Sequence, residues 1–175
     1  SARYANGMEI PRLQQQIKQI AELNKKMAPF RILCGVEVDI LADGSLDYPD
    51  EVLAQVDFVI ASIHSAFKTD PTGRTLSALR NPYVDVIGHP TGRLISRREG
   101  FALDMNQVIQ AAAETGTALE INSYWDRLDL SDLHVRAAIK AGVKVSINTD
   151  AHHPEHLAMV QYGVATGRRG WAQKK

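Results

Sequence analysis

The sequence predicts an α/β fold of about five parallel strands with helices outside. Two observations carry this reading. Short apolar runs alternate with stretches of helical period, and four of the five runs close with a side chain able to ligate a metal. Glu37 ends CGVEV, His64 follows VDFVIASI, His89 follows YVDVIG, and Asp150 and His152 follow KVSINT. In parallel α/β folds the C-terminal strand ends share one face and carry the chemistry, so these residues are expected to meet there.

The elements follow in order. Ile10, Leu13, Ile17, Ile20, Leu23 and Met27 recur at three- and four-residue spacing, with Pro11 suited to the first turn, and predict an amphipathic helix outside a sheet. An apolar strand over 31–38 leads through the turn-rich ADGSLDYPD to a short helix near 49–55. A second strand over 57–63 ends at His64. The polar stretch 68–73 reads as loop and 75–80 as helix, which Asn81-Pro82 stops before a strand over 83–88. PTGRLISRREG, after His89, is a basic loop of the kind that overhangs a site. Asp104 caps the next helix with Gln107 at the capping-box position, Met105, Val108, Ile109 and Ala112 form its apolar stripe, and Gly116 stops it. A strand over 118–121, the loop NSYWDRLDL, a helix capped by Ser131 and ending near Gly142, and a strand over 143–147 come next. Pro154 opens a last helix carrying Leu157, Val160 and Val164. One domain is expected over 1–175. A closed barrel normally needs more than five strands, so a chain that opens on an unpaired helix reads as a barrel without its first strands. The open sheet edge this leaves predicts self-association.

Composition narrows the function. At 175 residues and 45% hydrophobic content the chain can bury a core. Its formal charge is zero, so any anionic ligand must be held by a local cluster. The single cysteine, Cys34, excludes an internal disulfide and a cysteine-built zinc site, and reads as core filler. No apolar run approaches the roughly 20 residues that span a bilayer, and SARYANG lacks the regions of a signal peptide. No membrane partner and a cytoplasmic setting are therefore expected.

Imidazole nitrogen suits zinc, manganese or iron, and carboxylates tolerate hard divalent ions and can bridge two of them. The set Glu37, His64, His89, Asp150 and His152 thus suggests one to three metals engaged in hydrolysis. In Asp150–His152 two ligand types lie two residues apart in a turn leaving a strand. Asp39 is either a carboxylate partner to the ligands or a simple loop cap. His153 and His156 are weaker candidates beside Pro154, and His134 receives no role. An arginine fork matches phosphate oxygens, so Arg93, and Arg127 beyond the strand ending at 120–122, are candidate substrate contacts. Arg97 and Arg98 fit a solvated loop equally well. Trp125 and Tyr124 either stack on a base or sugar or anchor the loop.

At GVEVDILADGSLDYPDEVL, ASIHS, NPYVDVIGHPTGRL, ALEINS and VSINTDAH the chain resembles the PHP (polymerase and histidinol phosphatase) domain, in particular the one at the C-terminal end of bacterial X-family DNA polymerases. The resemblance covers nearly the whole chain. It implies a distorted TIM-like β/α barrel with up to three divalent ions, manganese or zinc, and 3′–5′ exonuclease and DNA-end processing activity. It also implies upstream polymerase domains and DNA, single-stranded or at 3′ ends, as partners. Within it, Glu37 would bridge two metals, His64 and His89 would complete one position, Asp150 would ligate the other and His152 the third. Glu37, Asp150 and Arg93 would be the catalytic residues. The resemblance also implies an opening His-x-His and a following Asp-His motif; this sequence carries neither, so little activity is expected of it. The alternatives are a histidinol-phosphatase-like enzyme for a small phosphate ester and a non-catalytic barrel fragment.

Overall fold

The computed structural model describes residues 7–174, so the SARYAN segment lies outside the described residues. Five strands form one parallel sheet in chain order: β1 Gly35–Asp39, β2 Phe58–Ser62, β3 Val86–Ile87, β4 Ala118–Asn122 and β5 Val145–Asn148. Each strand pairs with the next, with Glu37 opposite Ile60, Ala61 opposite Ile87, Ile87 opposite Leu119 and Glu120 opposite Ser146. The sheet is built on Val38, Val59, Ala61, Ile87, Leu119 and Ile121, all buried. These are mostly branched residues, which a pleated surface packs well. Helices α1 Ile10–Met27, α2 Asp50–Leu53, α3 Pro71–Leu79, α4 Met105–Thr115, α5 Asp132–Lys140 and α6 Val160–Arg169 connect and flank the strands. Among the described residues no helix is long and apolar enough to cross a membrane.

Several boundaries differ from the sequence reading, each for a local reason. The first strand begins only at Gly35, because Ile32 N–H donates to Asn24 Oδ1 at 2.7 Å and Cys34 N–H to Asp57 Oδ2 at 2.9 Å. Cys34 is nevertheless buried, and burial, reinforced by Asp57, pushes its thiol up. The third strand shrinks to two residues, since Val84 N–H is used in a turn to Asn81 O. Helix α3 starts at Pro71, four residues early: Asp70 accepts from Gly73 N–H at 2.9 Å and Pro71 occupies the first turn, a start signal hidden in a polar stretch. At α4, Asp104 caps Asn106 and Gln107 as expected, and Gly116 ends the helix at φ 78°. The reciprocal half of the capping box is absent, because Asp104 N–H donates to Thr72 Oγ1 and Gln107 bonds the Asp104 carboxylate instead.

The last helix departs most. Pro154–Met159 is a 3₁₀ turn, and only then does α6 begin. Leu157, Val160 and Val164 are exposed, and the packed face is Gly163, Thr166 and Gly167. A Cβ at Gly163 would collide with Ser123 Oγ and Ile147, so the absence of side chains lets α6 approach β4 and β5 closely.

Candidate metal centre

Glu37, in the middle of β1, meets His64 and His89, which follow the ends of β2 and β3. Glu37 Oε1 lies 3.5 Å from His64 Nε2 and 3.2 Å from His89 Nε2. One ligand atom from each residue lies within 4.8 Å of the others, and the imidazoles meet edge to face at 5.1 Å. Donor atoms about 2.0–2.1 Å from a tetrahedral ion stand about 3.3 Å apart, so a carboxylate and two imidazoles at these separations fit a divalent ion. Gly88 makes the approach possible, because a Cβ there would strike Ser62 and Ile60 and lie 3.5 Å from Glu37 Oε1.

The surroundings orient this group. Ser62 Oγ donates to Glu37 Oε1 at 2.7 Å. His64 turns its Nδ1 to Asp39 Oδ1, which leaves Nε2 facing Glu37. The sequence left Asp39 between two roles, and its contact is with this imidazole, the arrangement that fixes the tautomer of ligating histidines. Burial opposes charge on His64, but hydrogen bonds to Asp39 and Glu37 outweigh it and raise its pKa to about 9. Burial likewise pushes Glu37 upward, and the hydrogen bonds and charges of His64 and His89 hold it far below the usual carboxylate range.

Two carboxylates missed in the sequence reading sit behind His89. Glu120, in the middle of β4, accepts His89 N–H at 2.6 Å and the Asn148 amide at 2.8 Å. Asp129 accepts Thr91 N–H at 3.0 Å and Gly92 N–H at 2.9 Å. Burial raises the pKa of both. A carboxylate between Leu119 and Ile121 in ALEIN was the available signal for Glu120; Asp129, in a polar loop, had none.

Asp150 and His152 fall outside the three-residue group among the described residues. They share a second cavity of about 250 Å³ with Leu94, Arg97, Tyr124 and Arg127. Asp150 accepts from Asn122 Nδ2 at 3.1 Å and lies 3.7 Å from Arg127 Nε, while His152 is exposed and its Nδ1 sits 2.8 Å from Asp150 O. Arg127 Nη1 is buried with no hydrogen-bond partner among the described residues. Arg93 does not present a free fork: its Nε donates to Arg127 O at 2.8 Å and its Nη2 to Leu128 O, because the loop carbonyls need donors. Arg97 pairs with Asp126, and Arg98 donates to Gly92 O and lies over the Phe67 ring at 4.6 Å. The basic loop overhangs a cleft of about 760 Å³ whose walls include Thr91, Phe101 and His134. Trp125 is exposed, tilted against Tyr124.

No family model matches the chain. It is 50% identical over 176 residues, 99% of its length, to a Bacillus subtilis (strain 168) protein named DNA polymerase/3′-5′ exonuclease PolX, and covers 31% of that protein. Its fold matches histidinol phosphate phosphatase from Lactococcus lactis, solved with zinc, L-histidinol and phosphate, at TM-score 0.63 and 17% identity, over 95% of this chain and 76% of that one. These likenesses fit the PHP-type domain that the sequence resembles. A probable phosphatase of Thermoanaerobacter sp. (strain X514) is 36% identical over 143 residues, 74% of this chain and 56% of the relative. The chain thus spans about a third to just over half of the curated relatives it matches.

Proposed function

We propose that this chain is a metal-dependent phosphoesterase domain of the bacterial X-family DNA polymerase type, hydrolysing DNA from the 3′ end. The observation that carries the reading is the meeting of Glu37, His64 and His89 along three adjacent strands in a chain half identical to a named polymerase/exonuclease. Glu37, His64 and His89 would hold a divalent ion, zinc or manganese, and Asp150 and His152 would contribute to a further position on the same rim. Such an ion supplies Lewis acidity toward a phosphate ester.

The protein's own residues do the rest. Asp39 keeps His64 Nε2 turned inward. The unpartnered Arg127 Nη1, beside Asp150 in the second cavity, is a donor for a nonbridging phosphate oxygen. Arg93 acts by shaping the loop that carries Arg127, through its bonds to Arg127 O and Leu128 O, rather than by gripping substrate with its fork. DNA and polymerase domains are the partners this reading implies.

The described residues gather three ligands around one position, so the expected activity of the chain by itself is low. The test is an assay of a single-stranded oligonucleotide and, separately, of histidinol phosphate, with manganese or zinc. Slow 3′ shortening that vanishes in Glu37→Ala and Asp150→Ala supports the proposal. Preference for histidinol phosphate moves the assignment to small phosphate esters, and absence of metal binding by calorimetry defeats it.

A further inference from the structure

We infer that Glu120 and Asp129 are positioning residues: two buried carboxylates that clamp the backbone of the loop 89–92 and thereby aim the His89 imidazole at Glu37. The inference rests on the proposed metal site for its functional meaning, and on geometry for its substance.

His89 needs such a clamp. Its φ of 26° lies in the left-handed region that non-glycine residues avoid, and only Gly88 separates it from a strand of two residues. A two-residue ladder cannot by itself hold a strained residue at its end. The missing restraint comes from β4 and the loop beyond it. Glu120 takes the His89 N–H, and Asp129 takes the next available N–H groups at Thr91 and Gly92, residue 90 being proline. His89 O closes the turn by accepting Gly92 N–H at 2.9 Å. Buried carboxylates accepting backbone N–H groups form strong, short, directional bonds, and neither acid carries a salt bridge that would give it another purpose among the described residues. Both are at most 3% exposed.

Glu120 is itself held. Its second oxygen accepts Asn148 Nδ2, and Asn148 Oδ1 accepts Ser146 Oγ at 2.9 Å. A continuous hydrogen-bonded path therefore runs from edge strand β5 through β4 to the ligand at the end of β3. Both Glu120 oxygens accept, one from the His89 N–H and the other from Asn148 Nδ2. Glu120→Gln offers one acceptor where two are needed, so it keeps the His89 N–H only if Asn148 turns its amide, whereas adding Asn148→Asp presents an acceptor to the new amide directly.

The experiment compares the unmodified chain with E120A, E120Q and E120Q/N148D. Co²⁺ titration followed by absorption reads affinity and ligand geometry, and the His64 and His89 ring resonances in metal-free protein read position directly. Outer partners of ligating histidines contribute about 10–100-fold in metal affinity. E120A and E120Q should weaken Co²⁺ by about that factor and shift the His89 ring resonances while leaving those of His64 in place, and the double exchange should restore both. Unchanged affinity and an unmoved His89 ring in both E120A and E120Q overturn the inference, as does failure of the exchange to rescue a loss in E120Q. Should E120A not fold, E120Q and its rescue decide. Should the unmodified chain bind no Co²⁺, the metal reading fails separately, and the clamp stands or falls on whether the His89 resonances move in E120A or E120Q, any shift in E120Q returning in the double exchange.

Discussion

The rim over β1 to β3 and the rim beyond β5 begin from the same pattern, an apolar strand followed by a ligand-type side chain, and end in different states. Over β1 to β3 the ligands come from three strands that are direct neighbours, so one carboxylate reaches both imidazoles. Each is restrained from behind: Glu37 by Ser62, His64 by Asp39, and the His89 backbone by Glu120. Beyond β5, Asp150 sits at φ 52° in a turn and His152 is largely in solvent, held by a contact within its own turn. Asp150 also has a partner on a neighbouring strand, Asn122 of β4, so the difference lies in the second and third ligands, which among the described residues neighbouring strands supply only over β1 to β3.

The contrast breaks most easily at its dense end. Glu37→Ala removes the carboxylate that reaches both histidines and should cut zinc affinity by more than about 100-fold, beyond what an outer partner contributes; competition with a chromophoric chelator measures it. Should Glu37→Ala bind zinc as the unmodified chain does, the two rims are alike after all. Asp39→Ala leaves all three donors in place and removes the partner of His64 Nδ1, so a smaller loss of about 10–100-fold is expected, checked by the same titration.

Proton linkage sharpens the comparison at the first rim. The His64 pKa is raised from 6.5 to about 9, so its contribution to stability is complete below about pH 6.5 and is lost as the pH climbs through about 9. The Glu37 pKa is lowered from 4.5, so its contribution is present above pH 4.5 and is lost as the pH falls toward its depressed folded value. Urea unfolding in chelator should therefore show highest stability from these groups between about pH 4.5 and 6.5, and apparent zinc affinity should climb with pH to about 9 as the proton on His64 ceases to compete. A flat alkaline limb would mean that His64 is not held by Asp39 and Glu37. The smallest effect belongs to the loose rim. Asp150→Ala should change zinc affinity at Glu37, His64 and His89 by less than about twofold, since separated sites that share no partner act additively. A large loss there would join the two rims into one site.

Much of this was legible in one dimension. Alternation of apolar runs with helical periods specified five parallel strands, and the position of His64 and His89 just past strand ends follows from a rule that holds for parallel sheets, while Glu37 proved to lie in mid-strand. Caps at Asp104 and Ser131 were readable because a cap bonds its own helix within three residues. Asp39 was visible as a candidate because a strand's period of two puts it on the face of Glu37.

Tertiary structure alone decided the rest. Whether α6 buries leucine and valine or glycine depends on how closely β4 and β5 lie beneath it, a distance that no periodicity encodes. The fork of Arg93 was spent on carbonyls of residues 127 and 128, over thirty positions away. Glu120 and Asp129 look like ordinary charged residues until β4 is laid beside β3, when their oxygens meet the N–H groups of a loop that the ladder cannot satisfy. Local bonds are written in the spacing of residues, but a buried polar group takes its partner from whichever strand the fold places next to it.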